Sequence, residues 1–319
     1  MKIDYQVKNN EIEIIRCYGN DPKVIIPECI AGMPVTKAAP YAFSEHKEKE
    51  QEDVLTYETE GHVLFSGEEH LLVGQAVEEI MFPSTVKEIG NYIFYGCKRL
   101  NRLEFSDSLM QIGSGAFTGC SGLRALKVRM EAGEKSCVKE ILGDLWQRMD
   151  VTFCYEREKK SAVLVFPEHY EEAVENTPAR ILFTQHHGSG NNYRQCFYNK
   201  EMDYRKYDSL FSVAAAWDRA EVLADIAFGR LGHPYRLADN DRQVYQNLIK
   251  NRYEEIIKYL IEQENLLHIR LISEEELWSQ EMLELALDLA SRQGKAEILS
   301  YLMNEKQKSF PQKKKSFVL

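Results

Sequence analysis

The most reactive residue types crowd into "HHGSGNNYRQC", where His186, His187, Ser189 and Cys196 follow one another closely. A hydroxyl or thiol beside an imidazole makes a nucleophile with its general base. The local pattern argues otherwise. The apolar ends of Ala179–Tyr198 read as strands, and adjacent histidines on a strand face opposite ways, so His186 and His187 do not easily address one ligand. Gly-Ser-Gly-Asn-Asn is turn chemistry, without the lysine or the strand-to-helix setting of a phosphate loop. The segment therefore reads as an exposed hairpin loop. His186, His187, Asn191 and Arg194 form a candidate ligand loop, and a small-ligand site or enzyme at the 179–198 junction is the alternative function.

Cysteine chemistry is equally sparse. Cys17, Cys29, Cys97, Cys120, Cys137, Cys154 and Cys196 are odd in number and include no C-x-x-C pair. This is neither a disulfide framework nor a zinc pattern. Reduced thiols in a cytoplasmic protein are expected, with no metal and no cofactor. The opening "MKIDYQVKNNEIEI" has no charged-then-apolar signal layout, and no segment reaches membrane-spanning length. A net charge of −10 argues against a nucleic-acid surface, the basic run at Lys306–Lys315 being a local exception that reads as a solvated tail.

The elements that would position any site are more legible. "IMFPSTVKEIGNYIFYGCKRLNRL" (Ile80–Leu103) aligns with "LEFSDSLMQIGSGAFTGCSGLRAL" (Leu103–Leu126) at a shift of 23. Ile80/Leu103, Phe82/Phe105, Val86/Leu109, Ile89/Ile112, Phe94/Phe117, Cys97/Cys120 and Leu100/Leu123 keep constant slots. A fixed period of this size is the signature of a solenoid whose units bury their apolar sides only by stacking. Gly90/Gly113 and Gly96/Gly119 are expected at turns that need positive φ. Cys97 and Cys120 are expected as small buried side chains. A worn copy, Val24–His46, matches Pro27 to Pro83, Val35 to Val86 and Phe43 to Phe94, while Val54–Gly74 reads as an insertion or an eroded unit.

These units resemble the BspA-like leucine-rich repeat, whose frame runs L-x-x-[IL]-x-[LIF]-P-x-[ST]-[VL]-x-x-I-G-x-x-A-F-x-G-C. The opening residues are similar to that family's N-terminal unit. The resemblance implies a stacked repeat with an interaction surface, and secreted relatives make surface adhesion a second alternative. On the short strands of such a stack, residues between the buried slots face outward. Glu79, Arg102 and Ala125 form one outward ladder, and Met81, Glu104 and Lys127 the next. Glu79, Met81, Arg102, Glu104 and Lys127 are the candidate partner-binding residues.

Beyond Met130 the frame stops. Gly133–Met149 has helical spacing with Val138, Ile141, Leu142, Leu145 and Trp146 on one side, and "DVTFCY" and "SAVLVFP" read as strands. From Tyr204 the pattern is helical. Three segments each give an apolar helix end, a polar break and then Glu-apolar-apolar, with the glutamate at Glu221, Glu255 and Glu297. The last copy looks like half of an ankyrin repeat, although a plain helical bundle shares much of the pattern. Trp217 and Trp278 are expected to pack.

The sequence thus predicts an α+β chain. A BspA-like leucine-rich-repeat solenoid spans 1–130, a mixed helix and strand cap 131–200, an α-helical domain, either an ankyrin-like repeat or a bundle, 201–306 and a basic tail 307–319. The expected function is a non-enzymatic protein-interaction scaffold with a protein partner, no nucleic acid and no membrane insertion.

Overall fold

A computed structural model describes residues 1–46, 53–58, 70–176 and 181–310. The chain divides into two compact units, Met1–Tyr207 and Asp208–Leu319.

In the first unit, β1 (Lys2–Lys8) and β2 (Glu11–Gly19) form a hairpin with alternating buried side chains. Then follow β3 (Lys23–Ile25), β4 (Cys29–Ile30), β5 (Met33–Ala38), β6 (Leu55–Glu58), β7 (His70–Leu71), β8 (Glu79–Met81) and β9 (Glu88–Ile89). The repeat continues through β10 (Arg102–Ser106), β11 (Gln111–Ile112) and β12 (Ala125–Met130). A short helix, α1 (Val138–Gly143), leads to β13 (Met149–Tyr155) and β14 (Lys160–Phe166).

The solenoid appears as two ladders of strands. One sheet stacks β3, β8, β10, β12 and β13 in parallel, and β14 closes it antiparallel. The 23-residue shift is the pairing register itself, since Arg102 lies beside Glu79 and Ala125 beside Arg102. The second sheet stacks β5, β9 and β11 beside the β1–β2 hairpin. Val54–Gly74 is an insertion in this scheme. Its described strands, β6 and β7, pair antiparallel with β1 and β2, while β3 lies directly beside β8.

Between the sheets Phe43, Phe94 and Phe117 stack, with centroids 5.7 and 5.4 Å apart, and all three are buried. Cys97 Sγ donates to the carbonyl of Phe43 at 3.1 Å, and Cys120 Sγ to that of Phe94 at 3.2 Å. A small side chain with a weak donor fits a slot where a carbonyl of the preceding unit lies below.

The glycine expectation needs one correction. Gly96 and Gly119 do have positive φ, at 77° and 80°. Gly90 and Gly113 do not; they are required because successive units touch there. A Cβ on Gly113 would lie 2.3 Å from the backbone nitrogen of Asn91. The left-handed slot lies two residues later, at Tyr41, Tyr92 and Gly115, with φ of 57°, 54° and 62°. Tyr41 and Tyr92 occupy it with stacked rings 5.5 Å apart.

The parallel sheet runs past Met130. Leu126 pairs with Val151, so β13 is one more strand of the stack, reached by a longer step through α1. The expected long helix is only six residues, and Trp146, beyond its end, is 59% exposed rather than packed. The unit ends with a hairpin of β15 (Tyr170–Asn176) and β16 (Ile181–His187), a helical turn α2 (Gly190–Arg194), and the short pair β17 (Phe197–Tyr198) and β18 (Glu201–Met202).

Within α3 (Tyr204–Ser209) the first unit gives way to the second. The second unit contains α4 (Phe211–Trp217), α5 (Ala220–Gly232), α6 (Asp239–Asn251), α7 (Tyr253–Glu262), α8 (Leu266–Glu274), α9 (Gln280–Arg292) and α10 (Ala296–Ser309). Each polar break expected from sequence separates two helices, and Glu221, Glu255 and Glu297 each fall in a first turn, where a carboxylate suits the helix dipole.

The turn geometry pairs the helices differently from the glutamate alignment. Asn265 N–H donates to Leu260 O, and Lys295 N–H to Ala290 O, both at 2.9 Å. Glu264 and Gly294 are both left-handed, and Lys295 Nζ binds Glu264 at 2.6 Å. Turns α7–α8 and α9–α10 are therefore equivalent, whereas the break at Arg252 has φ −115° and is of another kind. Arg230, fully buried, grips Asp208 through two bonds of 2.7 and 2.9 Å, and Tyr245 donates to the same carboxylate at 2.7 Å. Trp217 is 67% exposed and does not pack, whereas Trp278 donates to Ser273 at 2.8 Å. Of the expected tail, residues 307–309 belong to α10, and 311–319 lie outside the described residues.

Candidate functional site

Parallel pairing without a register shift sets equivalent side chains side by side across β3, β8, β10, β12 and β13. One outward row reads Lys23, Glu79, Arg102, Ala125 and Asp150. The next reads Ile25, Met81, Glu104, Lys127 and Thr152. Between them the inward row, from Val24 and Ile80 through Leu103 and Leu126 to Val151, is buried. Alternation along each strand produces this division.

These rows enclose a depression of about 350 Å³. Glu79, Met81, Arg102, Glu104 and Lys127, the partner-binding candidates from sequence, all line it, together with Lys23 and Ile80. Lys23 lies 3.3 Å from Glu79, and Lys127 lies 3.4 Å from Glu104. Arg102 is exposed, and while its backbone N–H donates to Glu78 O at 3.3 Å, its side chain makes no hydrogen bond or ion pair among the described residues.

Glu104 departs from the expectation of a solvated ladder residue, being only 8% exposed. Arg129 Nη1 binds its carboxylate at 2.8 Å while Nη2 donates to Phe82 O at 2.8 Å, so the guanidinium covers the carboxylate and ties it to β8's end. Glu131 in turn holds Arg129 and accepts from the Ser84 hydroxyl. Arg129 was readable as an outward residue, two places beyond Lys127 on the same strand.

The histidine segment is organised differently from the exposed hairpin loop expected. The β15–β16 connection lies at residues 177–180, and "GSGNN" instead leaves β16 and starts α2. Ser189 and Gly190 are buried, because Gly190 lies against the Pro167 carbonyl with no room for a Cβ. Arg194 is 4% exposed and donates to the carbonyls of Leu142, Leu145, Pro167, Gly190 and Gln147 at 2.6–3.2 Å. Burial pulls its pKa down to about 10. It is a structural clamp and presents nothing to a ligand. His187 stacks on Tyr170 at 4.4 Å and meets Glu172 at 3.2 Å, whereas buried Cys196 directs its thiol to Asn192 O at 3.7 Å. Asn191 is half-buried in α2. Of His186 only the backbone is described, opposite Glu171.

The buried thiols are poor nucleophiles. Burial pushes the pKa of Cys17 and Cys97 up to about 12, and those of Cys120 and Cys137 also rise. Among the described residues no group of three His, Cys, Asp or Glu could hold a metal ion, and no helix is long and apolar enough to cross a membrane.

Comparisons with known proteins concern the repeat. Residues 69–137 match the family model described as "BspA type Leucine rich repeat region (6 copies)". Among solved structures, a leucine rich cell surface protein from Faecalibacterium prausnitzii is 22% identical with a TM-score of 0.27, over 40% of this chain and 31% of that one. A leucine-rich repeat protein from Bacteroides ovatus is 21% identical with a TM-score of 0.28, over 42% of this chain and 34% of that one. The T. pallidum leucine rich repeat protein is 17% identical with a TM-score of 0.21, over 40% of this chain and 71% of that one. The match thus spans about a third of the length of the first two structures. The comparison with curated proteins returned no match. The N-terminal part of this chain, with its period of 23 and its phenylalanine ladder, is a BspA-like leucine-rich-repeat solenoid.

Proposed function

We propose that this chain is a non-enzymatic protein-interaction scaffold and that its partner docks on the outward rows of the parallel sheet. The observation that carries this reading is the depression in those rows, where Arg102 stands exposed and uncommitted beside Lys23, Met81 and Lys127. A stacked repeat holds such side chains at fixed spacing, because β8, β10 and β12 are each bonded to a neighbour on both sides. Extended surfaces of this kind suit macromolecules better than enclosed small ligands. Catalysis at the histidine segment has less support, since Arg194 and Cys196 are turned inward there.

The test is capture from native lysate with the full chain and with an Arg102→Gln/Lys127→Gln variant, followed by titration of the purified partner. The variant should keep its melting temperature within about 3 °C, since surface substitutions shift stability by about 0.5 kcal/mol. It should lose partner affinity by at least about tenfold, as removal of charge-assisted contacts does. A partner that binds parent and variant alike places the interaction elsewhere and overturns the proposal.

A further inference from the structure

The charge and spacing of the depression define the chemistry of its occupant. We infer that it holds an extended acidic segment of a partner protein, with carboxylates seated on Lys23, Arg102 and Lys127. This inference rests on the sheet face being the docking surface, and adds what docks there.

Lys23, Arg102 and Lys127 line the depression against Glu79 and Glu104. Glu104 is already matched, because Arg129, from outside the depression, makes its 2.8 Å bond. Lys127 approaches the same carboxylate only at 3.4 Å, and Lys23 holds Glu79 at 3.3 Å. With Arg129 counted against Glu104, three cations face one carboxylate, in a chain whose net charge is −10. A positive recess on an acidic molecule attracts carboxylates and orients them as they approach.

The spacing favours an extended chain. Lys23 and Arg102 stand on strands two apart, separated by the strand of Glu79. Adjacent strands are about 4.8 Å apart, so these two backbone positions are about 10 Å apart. Lys127 is one strand further and two residues along, about 8 Å from Arg102. An extended peptide crossing the strands places residues two or three apart at about 7–10 Å, which matches both steps. Ile25 and Met81, adjacent in register, give its aliphatic parts an apolar strip; Ile25 is 52% exposed.

The test is fluorescence anisotropy of the full chain with fluorescein-labelled octaglutamate, octalysine and an eight-nucleotide DNA strand. Octaglutamate should bind, and raising NaCl from about 50 to 300 mM should weaken it about tenfold, as expected for partly exposed ion pairs. Arg102→Gln should weaken it about five- to tenfold, and Glu79→Gln, which frees Lys23, should strengthen it about twofold or more. The opposite responses of two neighbouring substitutions separate charge recognition from damage to the fold. Equal binding of the DNA strand, or octaglutamate binding unchanged in both variants, overturns the inference. So does self-association of the chain that Arg102→Gln abolishes, since a second copy is then the occupant. If octaglutamate fails while a captured partner still depends on Arg102 and Lys127, the inference falls and the docking surface stands; if that partner ignores both residues, the docking surface falls as well.

Discussion

Phe94→Ala tests the stacked core most severely. Phe94 is fully buried, with ring centroids 5.7 Å from Phe43, 5.4 Å from Phe117 and 6.4 Å from Phe82. Truncating a buried phenylalanine costs about 3–5 kcal/mol, the upper end applying where the surroundings cannot close on the cavity. They cannot close here. Phe43 N–H is bonded to Ile93 O at 3.0 Å and Phe94 N–H to Ala116 O at 3.1 Å, so the units above and below are pinned at their spacing. A loss of about 4–5 kcal/mol is expected. With a urea m-value of about 2–3 kcal/mol/M, the midpoint falls by about 1.5–2.5 M. Tyr95, the next residue, is 47% exposed, and Tyr95→Ala should cost less than about 1 kcal/mol. Urea unfolding read by hydrogen exchange, peptide by peptide, follows the first unit separately from the second. A cost below about 1 kcal/mol for Phe94→Ala, or equal costs for the two variants, refutes the ladder as the main source of stability.

Three further outcomes follow from the same structure. Gly113→Ala puts a Cβ 2.3 Å from the Asn91 nitrogen and should cost more than about 2 kcal/mol, whereas Gly96→Ala, with open space but φ at 77°, should cost about 1–2 kcal/mol; denaturation midpoints rank them. Arg230→Met leaves Asp208 buried without its cation and should remove about 3–5 kcal/mol from the helical unit, most of which Arg230→Met/Asp208→Leu should restore in thermal melts. The thiols of Cys17, Cys97, Cys120 and Cys137 have pKa values above the ordinary 9.0, so the folded state retains protons that the unfolded chain releases. Their contribution is complete below about pH 9 and is lost as pH rises from there toward about 12. At pH 10 each costs about 1.4 kcal/mol, so a first-unit midpoint that does not move between pH 8 and 10 contradicts their burial.

The periodic part of this fold was legible because each slot is filled by the residue its place requires. Phe94 and Phe117 stack, Cys97 and Cys120 reach a carbonyl below, and the outward row of Glu79 and Arg102 follows from parity alone. The left-handed slot was hidden because tyrosine fills it at 41 and 92, where ring stacking offsets a conformation that glycine takes freely at 115. The strand at Met149–Tyr155 was recognised, but its place in the stack was not, since the longer step from Leu126 to Val151 breaks the period. Burial of Glu104 depends on Arg129, a cross-strand partner that the repeat alignment does not pair with it. Arg194 was misjudged for a related reason: its five carbonyl partners come from segments remote in sequence or from the turn it closes. In the helical unit the polar breaks were visible, but the equivalence of the turns at Glu264 and Gly294 lies in backbone conformation, which the residue types do not reveal.

The central claim, that the outward rows of the parallel sheet are the docking surface, is tested most directly by hydrogen exchange of the full chain with and without its purified captured partner. Added protection is expected in peptides covering Glu79–Met81, Arg102–Ser106 and Ala125–Met130, with no change at Tyr170–Asn176. Protection confined to the helices beyond Asp208, or to Tyr170–Arg194, with those three strands unchanged, would contradict it.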